Sequence, residues 1–273
     1  MVGGAGGQGG AADRLTTDLR AADDAAAASW AGGPEQMYAP LARALVASAP
    51  VPLAGRQVLD LGAGTGVAGR AALAAGARRV VAADPAVGML RRAGADLHPV
   101  AADAAALPFR DGSFDLVVAA FSLSHLGSLA AGLGEARRVG GALATSAFAP
   151  GWSHPAKAAV DEALRAAGYR PPAWYVRFKR DLEPPAGDPD LLAGQAGAAG
   201  FRRVRLRTTT AATGLAAPAQ LASWRLGMAH VAPFVSSLDE ADRAALLSAA
   251  ERAVAGTGPL VVSVLVLTAE AGG

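Results

Sequence analysis

The sequence predicts an α/β protein, a doubly wound and mostly parallel sheet covered by helices on both faces. Short apolar runs alternate with helix-period stretches from residue 57 onward, and such alternation requires crossover connections and therefore parallel strands. Glycines cluster between the first run and the first helix, at the strand ends where open parallel sheets take their ligands. The 273 residues are 52% hydrophobic and 18% charged, which is enough apolar material for one large core.

The elements follow in order. Residues 1–12 are a Gly/Ala stretch expected to be a disordered tail. Residues 13–48 have helical spacing, with Met37, Leu41, Leu45 and Val46 on one face and a break at Gly32-Gly33-Pro34. Strands are predicted at 57–61, 79–83, 98–101, 114–120 and 141–147. Helices are predicted up to Ala77 and over 85–94, 126–138 and 155–167. Residues 170–190, rich in Pro, aromatic and charged side chains, read as a long loop or an insertion. A helix over 191–199, a strand over 201–209, helical stretches near 217–233 and 238–255 and a last strand over 260–268 complete the chain. The whole reads as a single domain over 13–273. Residues 13–52 form an N-terminal helical lid, 53–169 a ligand-binding core, 170–258 lid and cap elements, and 259–273 the final strand.

Composition excludes several classes. There are 0 Cys, which rules out disulfides, thiolate metal sites, iron–sulfur clusters and cysteine nucleophiles. Asn and Ile are also absent, and nearly all basic residues are Arg, a bias that reads as a GC-rich genome. The formal charge of +2 says little about nucleic acid, and the pI near 9.4 mainly reflects arginine. No apolar run approaches the roughly 20 residues of a membrane span, and Met1 to Gly10 lacks the layout of a signal peptide. A cytoplasmic protein is expected.

The informative segment is Val58-Leu59-Asp60-Leu61-Gly62-Ala63-Gly64-Thr65-Gly66. Glycines there let the backbone turn tightly and approach a ligand closely. Asp60 adds negative charge beside the loop, which suits a cationic ligand better than a pyrophosphate. Gly64-x-Gly66-x-x-Gly69 also fits a dinucleotide pattern, so a nicotinamide-dependent oxidoreductase stays open. Asp84 ends the second strand about 20 residues after the glycines, where an acid accepts from both ribose hydroxyls. Asp103 follows the third strand, placed either to read an adenine amino group or to cap a helix starting at Ala104.

With Ala83-Asp84-Pro85, Met89-Leu90, Ala102-Asp103-Ala104, Leu107-Pro108-Phe109 and Asp111-Gly112-Ser113-Phe114-Asp115-Leu116-Val117, the chain resembles the class I S-adenosylmethionine-dependent methyltransferases over roughly residues 55–148. The likeness is to the small-molecule branch with quinone-biosynthesis and natural-product enzymes. The resemblance implies a Rossmann-like sheet of seven strands with the last antiparallel, and S-adenosyl-L-methionine as cofactor. It further implies that Asp60 and the backbone of Gly62, Ala63 and Gly64 cradle the methionyl part, and that Asp84 with Pro85 takes the ribose. Met89 would pack on the adenine, Asp103 and Ala104 read its amino edge, and Phe121 make main-chain contacts. The family's Pro-Gly-Gly before the fifth strand is replaced by Arg138-Val139-Gly140-Gly141.

For a phenol or hydroxyl acceptor, His125 is the first candidate base, His154 the second, and His230 a third that could reach down from a cap helix. His98 reads as structural. Phe121-Ser122-Leu123-Ser124 stands where amino-directed nucleic-acid enzymes carry a Pro-Pro-aromatic loop. The missing Cys and Asn exclude the C5-cytosine and magnesium-dependent catechol types. What remains is a metal-independent enzyme with a small-molecule acceptor, no nucleic-acid or membrane partner, and a homodimer left open. An alternative keeps the fold and the cofactor but promotes a cyclisation or only binds a metabolite. Trp30 and Tyr38 are placed to close over the cofactor. Trp174, Tyr175 and Phe178, beside Arg177, Lys179 and Arg180, either stack on a flat substrate or pin a loop to the core. Arg203, Arg205 and Arg207 alternate on one strand and read as an edge that resists aggregation.

Overall fold

The structure, a computed structural model, describes residues 6–272, with side chains from residue 14 onward. Two helices, α1 (Gly6–Gly32) and α2 (Pro34–Ala47), precede the first strand, β1 (Gln57–Leu61). Then come α3 (Val67–Ala74), β2 (Arg79–Asp84), α4 (Val87–Ala93), β3 (Val100–Ala101) and β4 (Leu116–Ala120). After them stand α5 (Leu129–Val139), β5 (Ala142–Phe148), α6 (Pro155–Ala166), α7 (Ala173–Asp181), α8 (Glu183–Gly187) and α9 (Pro189–Ala198). The chain ends with β6 (Phe201–Ala212), α10 (Pro218–Leu226), α11 (Ala232–Ser237), α12 (Glu240–Ala253) and β7 (Val261–Ala271).

These strands form one sheet in the order β3-β2-β1-β4-β5-β7-β6. The first five are parallel to their neighbours, and β7 runs antiparallel to both β5 and β6. The strand order reverses between β1 and β4, so their carboxyl ends diverge there and leave a crevice. Successive side chains of a strand point to opposite faces, which splits the core in two. Val58, Val118, Ala144 and Val266 face α2, α3, α6, α10 and α12, while Leu59, Val117, Leu143 and Leu267 face α5 and α9. Burial on both sides is why the strands read as continuous apolar runs instead of alternating ones.

The helix break at Gly32-Gly33-Pro34 is present, with Pro34 in the first turn of α2, where its missing N–H costs nothing. Three expectations need correction. Of the stretch expected as a disordered tail, residues 1–5 lie outside the described residues, whereas 6–12 open α1. Extending an existing helix needs only propagation, and the alanines that follow favour it. Residues 170–190 are not a loop but hold α7 and α8. Trp174, Tyr175 and Phe178 share one helical face and pack on Leu15 and Leu19 of α1, and two of the prolines taken as breakers sit in the first turn of α8. The arginine alternation on β6 is interrupted by a register shift between Arg202 and Arg205. Arg203 there takes φ 47° and pairs with Glu270 at 2.7 Å.

Smaller differences are local. Helix α3 stops at Ala74 instead of Ala77 because Gly76, at φ 94°, turns left-handed and its N–H caps the Leu73 carbonyl. Phe114 makes only an isolated bridge to Gly140 ahead of β4. Among the described residues no helix is long and apolar enough to cross a membrane.

Candidate active site

A cavity of about 660 Å³ opens at the carboxyl ends of β1, β2 and β4, with α1 across it. Its floor is the glycine loop. Gly62 has φ 68°, and a Cβ there would stand 2.3 Å from the Cβ of Ser122, whose hydroxyl donates to the Leu61 carbonyl at 2.6 Å. The N–H groups of Gly62 and Ala63 both donate to the Ala83 carbonyl, tying the loop to β2. A Cβ on Gly64 would meet nothing within 4 Å, so that residue is bare toward the cavity. Gly66 and Gly69 instead turn toward Leu97, at 2.5 and 3.1 Å from their would-be Cβ atoms. Only part of the dinucleotide pattern therefore faces the ligand space.

Two carboxylates hold this loop. Asp60 is 1% exposed and stands behind it, where its Oδ2 accepts from the Gly69 N–H at 2.7 Å. It is a brace and not a wall residue, contrary to the expectation that it touches the ligand. Burial raises its pKa to about 7 against the pull of that N–H. Asp84 is on the wall, and its oxygens accept from Ala86 N–H at 2.7 Å and Gly64 N–H at 2.8 Å. Burial raises its pKa too, opposed by the same two donors. Asp103 accepts from Ala105 N–H at 2.8 Å, but a turn follows it, so the helix-cap role is corrected to a turn.

The remaining predicted positions converge on the cavity. Pro85, Met89, Ala104, Phe121 and Tyr38 all line it, as do Gly62, Ala63, Gly64 and Asp103. Met89 is 4% exposed and packs with Ala27, Ala86 and Trp30. Phe121 takes φ 58°, a strained value for a side chain without polar atoms, and its N–H is held by the Ser146 carbonyl at 3.0 Å. That turn sets its ring edge-on to Tyr38 at 5.3 Å, and Tyr38 stacks on Trp30 at 5.1 Å. Phe148 and Trp152 continue the row at 4.8 and 4.9 Å.

The four histidines separate. His125 lines the cavity beside Phe178, with Nδ1 3.3 Å from the Ser124 hydroxyl. The residue is exposed at the cavity wall, and crowding of its ring by the protein around it pushes its pKa below the ordinary histidine value. His154 caps α6, accepting at Nδ1 from Ala156 N–H at 3.2 Å and donating from Nε2 to the Pro259 carbonyl at 3.1 Å. Both nitrogens are thus engaged, and it does not line the cavity. His230 is 5% exposed, stacked on Tyr175 with centroids 3.6 Å apart, and does not line the cavity either. Burial, then Arg225, Lys157 and Lys179, lower its pKa to about 2. His98, in the left-handed region at φ 45°, closes a turn. Tyr175 on His230 and Phe178 on α1 pin α7 to its neighbours, the second of the two roles proposed for those rings.

Sequence reasoning missed Asp23, on the face of α1 that roofs the cavity. Burial first, then Asp84 and Asp24, raises its pKa to about 8. Two adjacent acids inside an alanine run were the available signal, but α1 has no apolar stripe to say which face turns inward. Among the described residues no group of His, Asp and Glu is arranged to hold a metal ion.

A family described as a methyltransferase domain matches residues 58–140. A demethylmenaquinone methyltransferase of Mycobacterium sp. (strain KMS) is 38% identical over 170 residues, 57% of this chain and 72% of that protein. A second, from Beutenbergia cavernae, is 44% identical over 106 residues, 36% of this chain and 44% of its own length. The chain thus spans less than half of that relative. Among solved structures, a candidate methyltransferase from an antibiotic biosynthesis pathway of Anabaena variabilis superposes with TM-score 0.59 at 17% identity, over 85% of this chain and 99% of that one, a likeness of fold.

Two outcomes are expected. Gly62→Ala puts a Cβ against Ser122 at positive φ and should lower stability by about 1–3 kcal/mol, read by denaturant unfolding. Asp23 and Asp60 keep their protons in the folded state at pH values where the unfolded chain, near 3.8, has lost them. Their stabilising contribution is therefore full below about pH 4 and is lost as pH rises to 7–8. Asp23→Asn should melt above the parent protein at pH 8, with the gap closing toward pH 4. Equal melting temperatures at pH 8 would refute the assigned burial.

Proposed function

The chain belongs to the class I S-adenosylmethionine-dependent methyltransferases, and we propose that it methylates a small, flat acceptor bound against the aromatic row of its cavity. A quinone-type or polyketide-like ring is the acceptor class we favour, in keeping with the names of its sequence relatives. What carries the reading is one juxtaposition. The bare backbone of Gly64, the Asp84 carboxylate and the Phe121–Tyr38 ring pair border the same space.

The residues fit S-adenosyl-L-methionine. Thr65, 2% exposed on the cavity wall, has a hydroxyl with no partner, and the open face of Gly64 leaves room for a ligand against the backbone. The acids Asp84 and Asp103 suit a cation bearing hydroxyl and amino donors, and they disfavour the pyrophosphate of a nicotinamide dinucleotide. When bound, the cofactor supplies a methyl group already activated on a sulfonium. Gly62, Ala63, Gly64 and Thr65 would hold its amino-acid end, Asp84 its ribose, and Met89, Asp103 and Ala104 its adenine.

The protein's part is to align and to exclude water, and alignment alone contributes roughly 7–11 kcal/mol to such transfers. The rigid turn at Phe121 and the Trp30–Tyr38 stack supply two apolar walls that fix a flat acceptor. The downward shift of the His125 pKa favours its neutral imidazole at physiological pH. The ring therefore offers a hydrogen bond that orients the acceptor oxygen and is a weak proton acceptor.

Asp84→Ala should weaken S-adenosylhomocysteine binding by about 2–4 kcal/mol in calorimetric titration, from lost charge-assisted bonds. Unchanged affinity there would remove the ribose assignment, and binding of NADH in place of the nucleoside product would overturn the function. His125→Ala should lower turnover about a hundredfold with product affinity nearly unchanged. Retained full turnover would take His125 out of the mechanism.

A further inference from the structure

Helix α1 crosses the cavity and contributes Thr16, Leu19, Arg20, Asp23 and Trp30 to its wall, although nothing in the proposed chemistry so far uses its acid. Asp24 has a plain structural task, because its Oδ1 accepts from Gly88 N–H at 2.5 Å and docks α1 on α4. Asp23 has none. Among the described residues no hydrogen bond reaches its carboxylate, and the charges that act on it are two more carboxylates, Asp84 and Asp24. A half-buried acid facing other acids without a donor is costly unless a ligand supplies the missing donors. The unpartnered hydroxyl of Thr65, buried in the same wall, independently marks this space as one whose polar groups await a ligand.

The docking of α1 fixes which part of the ligand Asp23 meets. Ala27, one turn further along, packs on Ala86 and Met89 just beyond Asp84. Leu19, one turn before, packs on Phe178, which lies beside His125. Asp23 thus stands over the turn that follows β2. Each Asp84 oxygen already accepts one N–H, and each keeps a lone pair for a further donor. A pair of adjacent hydroxyls matches two acid groups on one cavity wall, one at the end of β2 and one on α1, and a protonated acid still accepts at its carbonyl oxygen. We propose that Asp23 is a second acceptor for the ribose hydroxyls, so that the sugar is clasped between Asp84 on the sheet edge and Asp23 on α1. The inference rests on the cofactor reading above. It makes α1 part of the binding site and gives a role to the acid that stands in an otherwise alanine-rich roof.

The test uses the full chain and two probes that share the ribose, S-adenosylhomocysteine and 5′-methylthioadenosine, titrated calorimetrically into the parent protein, Asp23→Ala and Asp23→Asn. Alanine suits the surrounding helix, and removal of a repelled carboxylate should leave melting temperatures at or above the parent value. Asp23→Ala should bind both probes about tenfold or more weakly, and Asp23→Asn should lose affinity for both in the same direction. Unchanged affinity for both probes overturns the inference while leaving the cofactor reading intact. A loss confined to S-adenosylhomocysteine also overturns it, because Asp23 would then serve the amino-acid end. If the parent protein binds neither probe, the cofactor reading falls and this inference falls with it.

Discussion

The site depends on a backbone loop without side chains being held in one shape by two carboxylates. A run such as Gly62-Ala63-Gly64 has more conformational freedom to lose than other sequences, so it needs external ties. Asp60 supplies one from behind through Gly69, Asp84 another from the front through Gly64, and the Ala83 carbonyl binds the two N–H groups between. Both acids are raised in pKa by burial, which is the cost of using charge as a brace in an apolar setting. The result is a bare, rigid floor at the strand ends, where the sheet itself diverges.

Above that floor the protein is economical with its aromatic side chains, which make up 5% of the sequence. Five of them form a continuous row from Trp30 through Tyr38, Phe121 and Phe148 to Trp152. The strained backbone of Phe121 is what turns its ring into that row, and strain of this kind persists only where packing over-determines it. A second group, Trp174, Tyr175 and Phe178, works on the other side by fastening α7 to α1 and to His230. The roof of the cavity is thereby fixed at two points, Leu19 on Phe178 and Ala27 on Met89.

Much of the site was legible because it is local in sequence. The glycines, Asp84, Met89, Asp103 and Phe121 each follow directly from a strand end, and a parallel sheet brings all strand ends of one kind to one edge. Asp60 was legible as important but not in its role, since only the path of α3 shows that Gly69 returns to meet it. The sequence ranked the histidines, His125 first, but left three of them as candidates for the site. His125, His154 and His230 all follow apolar segments, and their difference lies in whether the ring meets a cavity, a helix end or a stacked tyrosine.

By itself the sequence determined the order of strands and helices outside residues 170–190, the glycine loop, the acids behind it and the position of the break between α1 and α2. Those features rest on local propensity and on periodicities of two and 3.6 residues, which short windows of chain contain. Only the tertiary structure decided that residues 170–190 are helical, that the arginine ladder carries a bulge, and that Asp23 turns inward. Each of these depends on a partner distant in the chain: Leu15 and Leu19 for α7, Glu270 for Arg203, Met89 and Gly88 for the docking of α1. An amphipathic face or an unpaired acid acquires its meaning from what packs against it, and that is settled by the fold as a whole.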